Sequence, residues 1–376
     1  MSTFAFTDEQ LQLRESVRRY LTDHATVSRT RELMGDSDGF DRQSFQGLFN
    51  ELGIGGVHLP EEYGGAGLSY VELCVVLEEM GRALYPSPYL SSNVLAANAL
   101  LLTGTTEQKA ELLPLIASGA RLATVALYED SNRSDVANIE QIVVGGSFTG
   151  TKSFVLDATV AECFVVVARE GSDRHNAPRF WLADSNDPGI KCSATESIDS
   201  TRRIGSVSFD NVSVERLGEA ERDLTRFDKF VDLASVALAN EMVGGAQWLL
   251  ESSVEYANSR VQFGRPISSM QAIKHKCADL LLEIELAKSG AYRAAQAVAD
   301  DDPALPVYAN IAKAAANDAY MKSAADAIQI HGGIGFTWDN DTHLWFKRAK
   351  SSQVLLGTSE IHRDQLLERI DFLEAD

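Results

Sequence analysis

Glu241 is a carboxylate with little polar company. Its neighbours Ala239, Met242, Val243, Gly244 and Gly245 are small or apolar, and the stretch has helical periodicity. A carboxylate is expensive to bury in such surroundings without a purpose. A carboxylate buried in such a place would be suited to act as a base near neutral pH. The same position would serve as half of an ion pair to another helix, and the local sequence leaves both roles open. Arg260 follows the same stretch, and a guanidinium suits bidentate recognition of phosphate; a solvated surface arginine is the plain alternative. In "HGGIG" the glycines stand at the end of a helix, where backbone N–H groups can approach a phosphate closely, or simply cap that helix. Gln271 opens a helix after "RPISSM" and can bond a cofactor or act as a cap.

These residues need long helices to hold them. "DKFVDLASVALANEMVGGAQWLLESSVEYANSR" reads as one, "SMQAIKHKCADLLLEIELAKSGAYRAAQAVAD" as a second, and "PALPVYANIAKAAANDAYMKSAADAIQIHGG" as a third ending at a glycine pair. Residues 1–120 are also helical in pattern. Thr7 with Gln10 forms a capping box before "DEQLQLRESVRRYL". Prolines in "YPSPYL" stop the helix "SYVELCVVLEEMGRAL", and "TTEQKAELLPLIASG" starts with a cap and ends at Gly119. Between them, residues 121–215 change texture. "RLATVALYED", "GGSFTGTKSFVLDA", "CFVVVARE", "RFWLADS" and "RIGSVSFDNVSV" are short, β-branched or aromatic, and punctuated by turn residues, so they read as one antiparallel domain. Residues 216–376 return to helix. The expected fold is mainly α with a β insert.

Composition narrows the function. The 376 residues are 45% hydrophobic and 23% charged, an ordinary globular mixture. No apolar run reaches the ~18–20 residues of a membrane span. The opening "MSTFAFTDEQLQLRES" has no basic region of a signal peptide. Cys74, Cys163, Cys192 and Cys277 lie far apart and read as reduced core thiols of a cytoplasmic protein. The formal charge of −20 argues against nucleic acid and anionic membrane. Any phosphate must then meet a local basic and backbone arrangement. No metal site is expected.

Four segments together resemble the acyl-CoA dehydrogenase family over essentially the whole chain. "ELGIGGVHLPEEYGGAGLSYVE" is similar to its N-terminal signature, "RVQFGRPISSMQ" to its Arg-x-x-Phe-Gly flavin motif, "AIQIHGGIGFT" to its Gln-x-x-Gly-Gly motif, and "LGTSEIHR" to its closing motif. The resemblance implies an N-terminal helical domain, a middle β-domain and a C-terminal four-helix bundle. It also implies FAD, an acyl-CoA substrate and an electron-transfer protein as acceptor. Arg260, Gln262, Phe263, Gln271, Gln329, Gly332, Gly333 and Thr358 would bind FAD, reaching chiefly the adenosine and pyrophosphate of a flavin on a neighbouring subunit.

The resemblance breaks where the family holds the flavin ring within the same subunit. Its usual pattern there is Thr-Glu-Pro followed by Gly-Ser-Asp. Here Tyr128 stands at the threonine, Asp130 at the proline and Arg133 at the glycine, while Ser134, a further flavin ligand by resemblance, and Asp135 remain. The usual Trp-Ile-Thr is Phe154, Val155 and Leu156. Two hydroxyls that would bond the flavin are gone, each worth about 0.5–1.5 kcal/mol. The proton-abstracting glutamate is missing as well. The residue before the Gly-Thr-Ser is Leu356, and the alternative place on the long helix is Ala234. Glu241 lies seven residues past Ala234, on the same helix face and about 10.5 Å along. Asp232 points to another side of that helix.

Two functions follow from the resemblance. One is FAD-dependent α,β-desaturation of a CoA thioester, steroid side chains included, with Glu241 as a displaced base and the chain in a homo-oligomer. The other is a helper subunit of an α2β2 dehydrogenase, completing a partner's flavin site without a base of its own. A non-enzymatic binder of flavin or acyl-CoA, or a related oxidase, is the remaining alternative.

Overall fold

The computed structural model describes residues 5–130, 139–171, 177–219 and 225–373. Helices come first: α1 (Asp8–His24), α2 (Val27–Leu33), α3 (Arg42–Asn50), α4 (Tyr70–Arg82), α5 (Ala97–Thr103) and α6 (Thr106–Ala117). Strands follow: β1 (Ala123–Ala126), β2 (Ile142–Val144), β3 (Ser147–Leu156), β4 (Cys163–Glu170), β5 (Arg179–Asp184), β6 (Ile190–Ala194), β7 (Ile204–Ser213) and β8 (Glu215–Arg216). Then come α7 (Thr225–Ser259), a hairpin of β9 (Val261–Gln262) and β10 (Arg265–Pro266), α8 (Gln271–Ala299), α9 (Leu305–His331), α10 (Thr342–Val354) and α11 (Ser359–Leu373). Both expected caps are present. Thr7 and Gln10 bond reciprocally at the start of α1, and Thr105 and Gln108 do so at the start of α6.

The chain packs as two compact units. One comprises residues 1–31, 70–85 and 235–376, and the other residues 32–69 and 86–234. In the first, α9 is the central helix. It packs against α8, α10 and α11, and seven of its buried residues are alanines, which allow close helix approach. Helix α4 crosses α7 where both lack side chains. A Cβ at Gly81 would collide with the Glu241 carbonyl, and one at Gly244 with the Glu78 carbonyl. Helix α10 is fastened to α7 by stacked indoles, Trp248 on Trp345 at 3.4 Å between ring centres.

The second unit holds an eight-stranded sheet in the order β6-β7-β3-β2-β4-β5-β8, with β1 beside β4. Its core is built on Phe148, Phe164, Val166, Trp181 and Phe209. The sheet corrects the purely antiparallel expectation, because β4 pairs in parallel with both β1 and β2. The chain between β1 and β4, and between β2 and β4, is too long for a tight hairpin, so the directions are free to match. Strand β4 is buried from Cys163 to Ala168 without alternation, as a strand covered on both faces must be. The thiols also need correcting. Cys74 and Cys163 are buried, but Cys277 is half-buried and Cys192 is exposed on β6. No helix among the described residues is long and apolar enough to cross a membrane.

Within the second unit the half-buried His58 ring sits with Nε2 3.0 Å from Asn98 Oδ1. Burial pushes its pKa down to about 4, whereas the unfolded ring takes up a proton near its ordinary value of about 6.5. Between those limits the unfolded chain binds more protons, so stability is lost as pH falls through the window. His362, in the first unit, is pushed down to about 3 and acts in the same direction. The melting temperature should therefore drop between pH 7 and pH 5, and His58→Gln should shrink that drop. An undiminished drop in the variant would mean that His58 does not contribute.

Candidate active site

Seven of the residues expected to meet FAD gather at one end of the first unit, and all are exposed. The end of α7 and the end of α9 are joined there by Tyr256, whose ring stacks on His331 at 4.3 Å and whose hydroxyl donates to the His331 carbonyl. Beneath them Ala257, Ile267 and Ile330 form a small apolar core with Met270 and Ile273 against it. On this base stand Arg260, the β9–β10 hairpin with Gln262 and Phe263, Gln271 at the first position of α8, and Gln329, Gly332 and Gly333 at the end of α9.

The hairpin presents Phe263 outward. Gln262 pairs with Arg265, which leaves a two-residue turn of Phe263 and Gly264, at φ 53° and 76°. A turn with both central residues left-handed matches strand twist but normally excludes bulky residues. Here the phenylalanine occupies it and is 91% exposed. Phe336 (75%) and Trp338 (62%) are exposed on the segment that follows the glycine pair. Phe336 also lines a cavity of about 390 Å³, together with Ala325, Ile328, Gln329, Gly332, Gly333 and Phe346. A Cβ at Gly332 or Gly333 would meet nothing in this chain within 4 Å. Only Gly332 needs its glycine for φ, at 67°; the bare backbone at Gly333 leaves room for a group from outside. These features fit an adenosine pyrophosphate.

Thr358 is not part of this cluster. It lies in the connection between α10 and α11, where its hydroxyl bonds the Glu360 carboxylate, and its carbonyl accepts from the His362 N–H. Ser134, with Arg133 and Asp135, falls outside the described residues.

Glu241 is buried on α7, and its carboxylate is engaged. Arg348 Nη1 of α10 donates to its Oε1 at 3.2 Å, and both side chains are nearly inaccessible. This is the ion-pair role that the sequence left open. Sequence reasoning missed Arg348, since "WFKRAK" gives no sign which of its cations turns inward. Leu356 is buried and has φ 61°, a conformation that costs a non-glycine residue roughly 1–2 kcal/mol.

In the second unit, the positions expected to face a flavin ring are packed against one another. Tyr128 is buried, and its ring meets Phe154 edge-on at 6.4 Å. A buried ion pair braces them: Lys152 Nζ donates to Glu129 Oε1 at 2.6 Å, and Glu129 also accepts from the Glu140 and Gln141 N–H groups. Burial pushes Lys152 down to about 8. Leu156 is buried beside them. This side offers apolar contact and one phenol in place of two hydroxyls.

A family model described as acyl-CoA dehydrogenase, N-terminal domain, matches residues 7–120, and one described as acyl-CoA dehydrogenase, C-terminal domain, matches residues 225–370. Acyl-CoA dehydrogenase IpdE2 of Mycobacterium tuberculosis is 34% identical over 93% of this chain and 93% of its own. Among solved structures, the Tcur3481-Tcur3483 steroid ACAD is similar at a TM-score of 0.89 and 32% identity, over 98% of this chain and 99% of that one. The ChsE4-ChsE5 complex from Mycobacterium tuberculosis is similar at 0.88 and 27%, over 100% and 99%.

Proposed function

The chain belongs to the acyl-CoA dehydrogenase family, oxidoreductases acting on CH–CH bonds, and from this premise we propose that it serves the FAD-dependent α,β-desaturation of a CoA thioester. FAD, when bound, supplies the hydride acceptor. One observation carries the reading: Phe263 stands almost fully exposed at the tip of a left-handed turn, among Arg260, Gln271 and the bare glycine pair. That arrangement suits a cofactor shared across a subunit boundary, so the working form is an oligomer, a tetramer by family resemblance. A steroid side chain is the favoured acyl group, because a solved steroid ACAD is among the similar structures. An electron-transfer protein would reoxidise the flavin, and the reaction suits the cytoplasm.

Within this chain Glu241 is the base proposed for the α-proton, and its use requires the Arg348 pair to open. A second reading draws on that same pair. If the guanidinium keeps the carboxylate, the base comes with a second dehydrogenase-like chain, and this chain completes the partner's flavin site in an α2β2 assembly. The packed Tyr128 and Phe154 favour this reading, and two of the similar structures are named as pairs of chains.

Arg260→Ala tests the shared-flavin premise. Losing a charge-assisted phosphate contact should weaken FAD binding by about 1.5–3 kcal/mol, roughly tenfold to over a hundredfold. The check is FAD content after dialysis, with the assembly's size monitored by sedimentation. Unchanged FAD would reduce Arg260 to a surface charge and remove the premise.

A further inference from the structure

The connection between α10 and α11 is held more firmly than a loop carrying a leucine needs. Leu356 takes φ 61° and Gly357 φ 108°. A leucine persists in the left-handed region only where its surroundings dictate the backbone. The surroundings here are one stripe of α9, on which Asn310, Lys313 and Asn317 recur at spacings of three and four residues. All three are buried. Lys313 Nζ donates to the Gly357 carbonyl at 3.3 Å, to the Ser352 carbonyl at 3.2 Å and to Asn317 Oδ1 at 2.6 Å. Asn317 Nδ2 donates to the same Gly357 carbonyl at 3.3 Å. From α11, His362 Nε2 lies 2.9 Å from the Leu356 carbonyl, which can only accept, so this nitrogen carries the proton. Its Nδ1, left to accept, faces the Asn310 side-chain amide at 2.7 Å. The ring packs directly on Gly357, where an added Cβ would meet Nε2 at 3.1 Å.

A leucine asks only for an apolar pocket. A buried ammonium and a buried imidazole gripping two consecutive carbonyls do something else: they fix the direction of the backbone, at the expense of their own hydration. We infer that Lys313 and His362 are positioning residues, which lock the carbonyls of residues 356 and 357 and so set the one orientation in which side chain 356 is presented. Neither touches substrate. The inference rests on the proposed desaturation in one respect: it takes position 356 to border the reacting carbons of the thioester. Position 356 then determines what the acyl site accepts, and the locked turn can take a carboxylate there without being rebuilt.

The test uses Lys313→Met, His362→Leu and His362→Gln, each made in the natural chain and in Leu356→Glu. The first readout is hydrogen exchange of residues 351–363 in the natural chain. Lys313→Met and His362→Leu should each speed exchange there by about tenfold or more, with α8 unchanged. His362→Gln keeps a side-chain N–H for the Leu356 carbonyl and should stay within about twofold of the natural chain. The second readout is acyl-CoA oxidation with ferricenium as acceptor, over thioesters from butyryl-CoA to a steroid side-chain CoA. In the Leu356→Glu chain, Lys313→Met and His362→Leu should lower kcat by about tenfold with KM little changed, and His362→Gln should restore most of it. The two sites are independent arms, so one variant failing to fold leaves the other decisive. Natural exchange rates in the variants that fold would overturn the inference. Raised exchange with no turnover in Leu356→Glu would uphold the positioning role and reject the functional reading of position 356.

Discussion

Replacing Glu241 by leucine and Arg348 by methionine together will leave the protein about as stable as it is, while either change alone will cost about 3–5 kcal/mol. Both side chains are buried, 3.2 Å apart. Removing the guanidinium takes a charged partner from a buried carboxylate, and removing the carboxylate takes one from a buried guanidinium. Removing both leaves apolar groups of similar volume between α7 and α10, which the stacked Trp248 and Trp345 still hold together. Urea unfolding of the four proteins gives the coupling directly. A double variant whose loss equals the sum of the single losses would show that the two residues act independently and that the pair is no brace. The double variant also bears on chemistry. If it folds and still turns over acyl-CoA, Glu241 is not the base and the two-chain reading gains.

The helices were legible in the sequence for local reasons. Thr7 with Gln10 and Thr105 with Gln108 announce helix starts through contacts three residues apart, whereas α8 starts at Gln271 behind Met270 with no side-chain cap. Strands β3, β4, β5 and β7 declare themselves by β-branched and aromatic content. Strands β2, β6 and β8 do not. They are short or exposed, and their pairing is set by neighbours distant in sequence. Partners of buried charges are hidden for the same reason. The sequence shows that Glu241 needs a purpose, but Arg348 is 107 residues away. The grip on Leu356 did carry a signal. Asn310, Lys313 and Asn317 interrupt an alanine-rich helix at helical spacing, and such a polar stripe asks what it bonds. The exposure of Phe263 had none, because "QFGR" reads equally well as a buried turn.

Anaerobic titration of the purified protein with an acyl-CoA, followed by the visible absorbance of its flavin, tests the proposed desaturation most directly. The natural chain, alone or with a second dehydrogenase-like chain, should carry FAD, and the flavin band should bleach as thioester is added. Glu241→Gln should retain FAD and bleach about 10²–10⁴-fold more slowly, the contribution expected of a general base. A variant that bleaches at the natural rate would move the base to another chain. A protein that binds no FAD in either form, or a flavin band that no acyl-CoA diminishes, would contradict the account.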